Sequence, residues 1–387
     1  EQNGEAHRLL SEVLRREGNL REAERAIERG RRAQPENIEI LYSDIHLKET
    51  LGREEEAISL ITEFLESTKK DSGNYTLGEA TNRAVFLERK GLSYRALEKF
   101  DLALSAFSSI RELGPIHIPR AEVLISETHR LSGNLPIALK VAYEAIRKYP
   151  DNRQLRLLQA SLLGLDGKIE EAITQLNKLS SGKGEDQELL LATGQIYFQA
   201  QNLEAAEEWT RKALALSTSQ PNREYGLFLL GSIYERQKKF DLAEDQFEQV
   251  LKINPFNAGA SNYLGYMLAE QGIRLEESIR YIRKALEVEP KNGAYLDSLG
   301  WAYFKMRKFN LAEIHLEEAA RRISHDPTIH EHLGYLYYNT GRTEQALDAW
   351  KRALETWPEA KGGEFDSSRA QKLREQLKKL KNSSGGR

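Results

Sequence analysis

Residues 293–326 read GAYLDSLGWAYFKMRKFNLAEIHLEEAARRISHD. Apolar residues recur in this stretch at intervals of three and four, in two runs that a short polar turn separates. This spacing predicts two helices, one with Leu299 on its apolar face and one with Leu316 on its apolar face. Gly300 and Ala312 fall where the two helices would cross, and close approach of helix axes requires small side chains there. The stretch therefore predicts a helical hairpin.

Small residues equivalent to Ala312 repeat along the whole chain. The successive intervals between them are 34, 46, 35, 34, 34, 37, 35, 34 and 34 residues. A unit of about 34 residues cannot bury its apolar face alone and stacks on its neighbours. We therefore predict an all-α solenoid of ten hairpins. The small residues are Ala23, Ala57, Ala103, Ala138, Ala172, Ala206, Ala243, Ser278, Ala312 and Ala346.

Turn residues and the irregular intervals set the predicted boundaries. Glycine is expected between the two helices of a hairpin, where a left-handed backbone caps the first helix. The interval of 46 residues predicts an inserted loop, and near the C-terminus the spacing of Leu373, Leu377 and Leu380 predicts a capping helix. We expect two repeats in 1–66, the inserted loop at 67–83, eight repeats in 84–358, and the capping helix with a disordered tail, NSSGGR, in 359–387. The glycines are Gly18, Gly52, Gly133, Gly167, Gly272 and Gly341.

Composition argues against several classes of function. The chain of 387 residues has 56 basic and 59 acidic side chains, so its net charge of −3 offers no strong attraction for nucleic acid. It contains no cysteine, which excludes disulfides, thiol nucleophiles and thiolate metal sites. It also lacks an apolar run of 18 residues, so we predict no transmembrane segment.

Catalytic and cofactor motifs are missing from the sequence. There is no phosphate-binding glycine loop, dinucleotide fingerprint, zinc-protease helix or serine-nucleophile elbow. His330, Glu331 and His332 form a cluster, but residues two apart on a helix point about 200° apart and cannot share one metal ion. We therefore predict that the protein is not an enzyme and binds neither a cofactor nor a metal.

The hairpin pattern resembles the tetratricopeptide repeat family. That family's repeat carries a large residue, then Leu-Gly, Tyr, Ala, an aromatic residue and Pro at fixed offsets, and the resemblance covers residues 4–358. It implies a right-handed superhelix whose first helices line a concave groove, and the groove binds a protein or peptide partner. The residues that carry the pattern in one repeat are Leu227, Leu230, Gly231, Tyr234, Ala243, Phe247 and Pro255.

The resemblance also implies which residues face the groove. Repeats one to four place a charged wall there, whereas repeats eight to ten place aromatic residues among amides and carboxylates. Because Leu264, Leu299, Leu333, Tyr303 and Tyr337 already fill the core positions, we expect the ladder of Tyr266, Trp301 and Tyr335 to be exposed for binding. Packing of these aromatics on one another, or cover by the capping helix, is the alternative. The predicted binding residues are Asn262, Tyr263, Tyr266, Asp297, Ser298, Trp301, Phe304, Lys305, Glu331, His332, Tyr335, Tyr338 and Asn339.

These features favour a non-enzymatic adaptor or scaffold. Asp297 and Glu331 in the groove disfavour a carboxylate ligand and favour a segment with apolar side chains and a basic residue. Residues 262–353 are similar to a subtype common in exported bacterial proteins, which implies a periplasmic or outer-membrane-associated protein that recruits a protease or an envelope assembly. A lipid anchor upstream of Glu1 would fit that location. The alternatives are a cytoplasmic location and a structural scaffold that self-assembles through its N-terminal repeats.

Overall fold

The computed structural model describes residues 3–179, 186–217, 219–357 and 367–384 of the chain. The regular elements within these residues are helices. They are Gly4–Arg16 (α1), Leu20–Ala33 (α2), Ile38–Thr50 (α3), Glu54–Ser67 (α4), Leu77–Ala96 (α5), Phe100–Ile110 (α6), Ile118–Leu131 (α7), Leu135–Lys148 (α8), Arg153–Leu165 (α9), Ile169–Asn177 (α10), Gln187–Gln199 (α11), Leu203–Ala215 (α12), Gln220–Arg236 (α13), Phe240–Ile253 (α14), Ala258–Gln271 (α15), Leu275–Val288 (α16), Gly293–Lys305 (α17), Phe309–Arg322 (α18), Pro327–Asn339 (α19), Thr343–Thr356 (α20) and Ser367–Ser384 (α21). Two short 3₁₀ turns lie between α6 and α7.

The first twenty helices pair in sequence order as ten hairpins, α1 with α2 through α19 with α20. The chain divides into two compact units, residues 1–185 and residues 186–387. The N-terminal unit holds hairpins one to five, and the C-terminal unit holds hairpins six to ten with α21. The predicted all-α repeat architecture is confirmed.

Small residues stand at the helix crossings as the spacing predicts. A Cβ atom on Gly300 would lie 2.6 Å from Leu316 Cγ, and Ala312 has no exposed surface. In the first hairpin, Ser11 takes the place of Gly300 and Ala23 that of Ala312. The Ser11 Oγ donates to the Ala23 carbonyl across the crossing at 2.8 Å. The close approach therefore sets the register of the two helices in each hairpin.

The turn between paired helices requires a left-handed residue. All six predicted glycines have positive φ angles, between 64° and 90°. Four other hairpins place Glu98, Gln201, Lys238 and Arg307 there with φ angles of 55–60°. The turn geometry is therefore imposed by the hairpin and is adopted even where glycine is missing.

The segment predicted as an inserted loop is half helical. Helix α4 ends at Ser67 and α5 begins at Leu77, so residues 77–83 form its first turns. A capping box starts this helix, because Thr76 Oγ1 accepts from the Glu79 amide at 3.4 Å and Glu79 Oε2 accepts from the Thr76 amide at 2.9 Å. The spacing Thr-x-x-Glu within the segment was the signal for this longer helix.

Helix α21 packs its apolar face on α20. Leu373 is fully buried and Leu377 nearly so, in a cluster with Trp350 and Trp357. The helix extends to Ser384, so the first half of the tail predicted to be disordered is helical, and residues 385–387 lie outside the described residues. The predicted repeat boundary at Pro358 also lies outside them.

Candidate functional site

The first helices of hairpins eight to ten, α15, α17 and α19, lie side by side in the C-terminal unit. Together with α13 they carry a group of aromatic and acidic residues that we call the C-terminal face. This face contains five of the thirteen predicted binding residues and two carboxylates that the prediction omitted. Its members are Glu235, Tyr266, Glu270, Trp301, Phe304, Tyr335 and Tyr338.

Trp301 is buried, which corrects the expectation that it is exposed. Only 6% of its surface is accessible, because its ring is stacked between Phe304, at a centroid distance of 4.8 Å, and His332, at 4.0 Å. Its indole Nε1 donates to Glu270 Oε2 at 2.6 Å. Leucine and tyrosine fill the core positions of these helices, but Trp301 is still buried because the adjacent first helix packs closely enough to cover it.

Asp297 and His332 are buried together beside this stack. His332 Nδ1 lies 2.9 and 3.0 Å from the two carboxylate oxygens of Asp297, and the histidine has no exposed surface. His332 Nε2 has no hydrogen-bond partner within the described part of the chain. Asp297 is therefore occupied by a partner inside the protein, and the expectation that it meets a ligand at the surface is wrong.

Glu331 is also buried, and the capping helix supplies its partner. Arg369 on α21 donates from Nη2 to Glu331 Oε2 at 2.6 Å. The arginine lies over the Trp357 ring, with its guanidinium carbon 5.7 Å from the ring centroid. The sequence left open that the capping helix covers the aromatic residues; the contact seen here is with the nearby carboxylate of Glu331.

The neighbouring carboxylates Glu235 and Glu270 stay closer to solvent. Burial raises the pKa of Glu235, and the nearby Glu270 adds to this rise, against the opposing effect of Arg236 and Arg369. For Glu270, burial acts in the same direction, but Lys305, the Trp301 indole, His332 and Arg369 together lower its pKa. Glu235 accepts no hydrogen bond from the described residues, and Arg236 Nε lies 3.8 Å from its Oε2.

Sequence reasoning could have found both carboxylates. Counted from the crossing glycines, Glu235 lies four residues after Gly231, as Phe304 does after Gly300. Glu270 lies five residues after Gly265, which is the position of Lys305 in the next hairpin.

The remaining predicted residues divide between core and surface. Tyr263 stacks on Phe247 at 5.2 Å in the core, and Ser298 Oγ donates to the Ala294 carbonyl at 3.0 Å. Tyr338 and Asn339 are exposed, Tyr266 and Tyr335 are half-buried, and Lys305 Nζ lies 4.8 Å from the Trp301 ring centroid. Asn262 Oδ1 is buried without a hydrogen-bond partner among the described residues.

The His330-Glu331-His332 cluster points to three separate partners. His330 Nε2 lies 2.8 Å from the Ser324 carbonyl oxygen, Glu331 binds Arg369, and His332 binds Asp297. Within the described ranges, no group of three or more His, Cys, Asp or Glu residues is arranged to hold a metal ion.

Comparison with known families identifies the repeat. Tetratricopeptide repeat models match residues 187–255, and also residues 228–295 and 298–361. The matched part of the chain consists of tetratricopeptide repeats. The matched residues belong to hairpins six to ten, which include the C-terminal face. Among the described helices of the chain, none has both the length and the apolar composition needed to cross a bilayer.

Curated relatives share the repeat over part of their length. A tetratricopeptide repeat-containing protein of Pseudomonas aeruginosa is 30% identical over 181 residues, which is 46% of this chain and 30% of that protein. Anaphase-promoting complex subunit 3 of Schizosaccharomyces pombe is 20% identical over 269 residues, which is 70% of this chain and 40% of that protein. The chain thus spans less than half the length of these relatives.

A solved structure of a monomeric IFIT1 mutant with m7Gppp-AAAA has the same fold. Its TM-score is 0.54 at 15% identity, over 89% of this chain and 82% of that one. At this identity the likeness concerns the fold alone.

Proposed function

We propose that this protein is a non-enzymatic adaptor that binds a partner protein on its C-terminal face. The bound segment carries a basic side chain beside an apolar one. The observation that carries this proposal is the half-buried carboxylate of Glu235, which accepts no hydrogen bond from the described residues. A carboxylate in that position is stabilised by a cation that brings its own N–H donors.

The two carboxylates favour a cation over an anion, even with Arg236 3.8 Å from Glu235 and Lys305 3.9 Å from Glu270. Glu270 lies near Glu235, and its side chain is 48% exposed. An anionic ligand would meet repulsion from both carboxylates, whereas a lysine or arginine would relieve the repulsion between them. Arg369 shows in cis how a guanidinium is accommodated here, since it pairs with Glu331 and lies over an aromatic ring.

Aromatic side chains on the same face supply apolar contact area. Phe304 and Tyr335 are half-buried, and 47% of the Tyr338 surface is exposed. Aromatic residues in such positions contribute strongly to protein interfaces. The binding surface that we propose is therefore the outer edge of the predicted set, with Trp301, Asp297 and His332 beneath it as support.

The test uses labelled peptides with acetylated and amidated ends, each with one arginine flanked by leucines, and a matched set with glutamine for arginine. We expect the arginine peptides to bind, as measured by fluorescence anisotropy. Glu235→Gln should weaken their binding about tenfold, the loss expected for one charge-assisted hydrogen bond. Glu276→Gln, an exposed acidic residue of α16, serves as the matched control and should have no effect.

Equal binding of the glutamine peptides, or equal losses in the two variants, would overturn the assignment of Glu235. Light scattering on the same samples addresses the self-assembling scaffold, which would give a larger species as concentration rises.

We also propose that the protein works in a bacterial envelope, in the periplasm or at the outer membrane, where it recruits a protease or an assembly factor. The similarity of residues 262–353 to exported bacterial proteins supports this location, and the Pseudomonas relative is consistent with a bacterial source. Fractionation of cells that produce the natural protein would test it, and recovery from the cytoplasm would contradict it.

A further inference from the structure

The N-terminal unit carries a second candidate surface on its own first helices, α1, α3, α5 and α7. Charged residues dominate this surface, which we call the N-terminal face. Its six arginines outnumber its four glutamates. They are Arg8, Arg15, Arg89, Arg95, Arg120 and Arg130, with Glu12, Glu49, Glu88 and Glu127.

Most of these charges pair with one another. Arg89 binds Glu49, and Arg120 binds Glu88. The other two glutamates are also engaged: Glu127 Oε2 lies 3.7 Å from Arg95 Nη1, and Glu12 pairs with Arg8 and Arg16.

Within the described ranges, two half-buried arginines of this face have no ion-pair or hydrogen-bond partner. They are Arg15 and Arg130. Burial is the main cause that lowers the pKa of Arg15; Glu12 opposes this shift, and Arg16 and Arg89 add to it. Each of these guanidinium groups thus presents N–H donors that an incoming acceptor could use.

Arg15 borders a cavity of about 140 Å³ between α1 and α3. His46 at this cavity accepts a hydrogen bond at Nδ1 from Arg89 Nη2, at 2.9 Å. A neutral imidazole that accepts at Nδ1 carries its proton at Nε2, so His46 presents a further N–H donor. Burial, with Arg15 and Arg89, lowers the pKa of His46 to about 4, which keeps the ring neutral near pH 7. The lining residues are Arg8, Ser11, Glu12, Arg15, Tyr42, Ser43 and His46.

We infer that the N-terminal face binds an acidic peptide segment, with one of its carboxylates in the cavity beside Arg15. The guanidinium of Arg15 offers paired donors that match the two oxygens of a carboxylate. Glu12 on the cavity wall sets the charge, because it would repel a phosphate dianion more strongly than a carboxylate. Arg8 on the same wall is already bound by Glu5, so Arg15 is the cation that a monoanion would meet.

A second group of cations on the N-terminal face, Arg95 and Arg130, indicates that the ligand carries several carboxylates. Arg15, Arg95 and Arg130 each lie four residues after the small crossing residue of their hairpin, which is Ser11, Gly91 or Ser126. Arg95 and Arg130 are close enough to repel each other, and this repulsion contributes to the lowered pKa of Arg95, for which burial is the main cause. A chain with acidic side chains at intervals would neutralise both positions, which a single terminal carboxylate could not do.

Binding of a labelled glutamate-rich peptide with acetylated and amidated ends tests this inference. We expect Arg15→Gln and Arg130→Gln each to weaken binding about tenfold, and Arg15→Lys to weaken it less. Arg32→Gln on α2 and Arg147→Gln on α8 remove the same charge from exposed positions of the same hairpins and should change little. Circular dichroism confirms that each variant is folded.

A direct readout at the cavity comes from the ring protons of His46 in NMR spectra. A bound carboxylate stabilises the imidazolium, so the peptide should raise the pKa of His46 from about 4. No binding of the peptide, equal losses in the control variants, an unmoved His46 pKa, or stronger displacement by inorganic phosphate than by acetate would each overturn the inference. Because the two faces lie in different units, failure here leaves Glu235 and the C-terminal face untouched.

Discussion

The two faces show how one repeat position can serve different purposes. Four residues after the crossing residue, the N-terminal face has Arg15, Arg95 and Arg130, whereas the C-terminal face has Phe304 and Tyr338. One residue after it, hairpin two has His46, which follows Ile45 and lines a cavity, and hairpin nine has Trp301 in a closed stack. The backbone supplies the same position in each case, and the side chains decide whether the face is a charged surface or a packed layer.

The largest difference between the faces should appear when an aromatic residue is removed. Trp301→Ala should lower the free energy of unfolding by about 4 kcal/mol, because it leaves a cavity between Phe304 and His332. Tyr42→Ala on the N-terminal face should cost less than about 1.5 kcal/mol, since 36% of Tyr42 is exposed. Urea denaturation followed by circular dichroism measures both, and similar losses would remove the contrast.

The two ends of the chain offer a second contrast. Leu373→Ala on α21 should cost about 3 kcal/mol, because the side chain is fully buried against the last hairpin. Leu10→Ala on α1 should be nearly neutral, since 47% of Leu10 is exposed. An unchanged melting temperature for Leu373→Ala would mean that α21 does not cap the array.

Breaking an ion pair should also cost more free energy of unfolding beneath the C-terminal face than on the N-terminal face. Asp297→Ala leaves His332 buried without a partner at Nδ1, which should cost about 2 kcal/mol. Glu88→Ala removes a pair with Arg120, whose side chain is 48% exposed, and should cost at most about 1 kcal/mol. A larger loss for Glu88→Ala in thermal melts would contradict the assignment of Asp297 to a structural role.

The smallest expected effect is a loss of stability of the N-terminal face at acidic pH. The pKa of His46 is about 4 in the folded protein against an ordinary value of 6.5, so the unfolded chain binds the extra proton first as the pH falls. His46 should therefore leave the free energy of unfolding at its full value above pH 6.5 and should reduce it as the pH falls from 6.5 to 4. Solvent exposure limits the loss to about 1 kcal/mol. Denaturation of the wild type and of His46→Gln across this range should reveal it, and parallel curves would exclude it.

Much of the fold could be predicted because it depends on spacing. Gly300 and Ala312 fix the crossing of two helices, and repetition of that pair fixes the other hairpins. The helical turns at Leu77 escaped because a run of polar residues was interpreted as a loop, although Thr76 and Glu79 form a helix start.

The site was harder to predict because burial on the first helices depends on neighbouring hairpins. Trp301 stacks on His332, which lies 31 residues away in the chain, and Glu331 meets Arg369 of the capping helix. Periodicity places a residue on a face, but it does not show how closely the next helix covers it.

Opposite ligand preferences of the two faces are the central claim, and one binding experiment on the full chain tests it most directly. Anisotropy of a labelled acidic peptide and a labelled arginine peptide is measured with the wild type, Arg15→Gln and Glu235→Gln. We predict that Arg15→Gln weakens the acidic peptide alone and that Glu235→Gln weakens the arginine peptide alone, each about tenfold. The claim is contradicted if one of the variants binds both peptides more weakly, or if both variants bind both peptides as tightly as the wild type does.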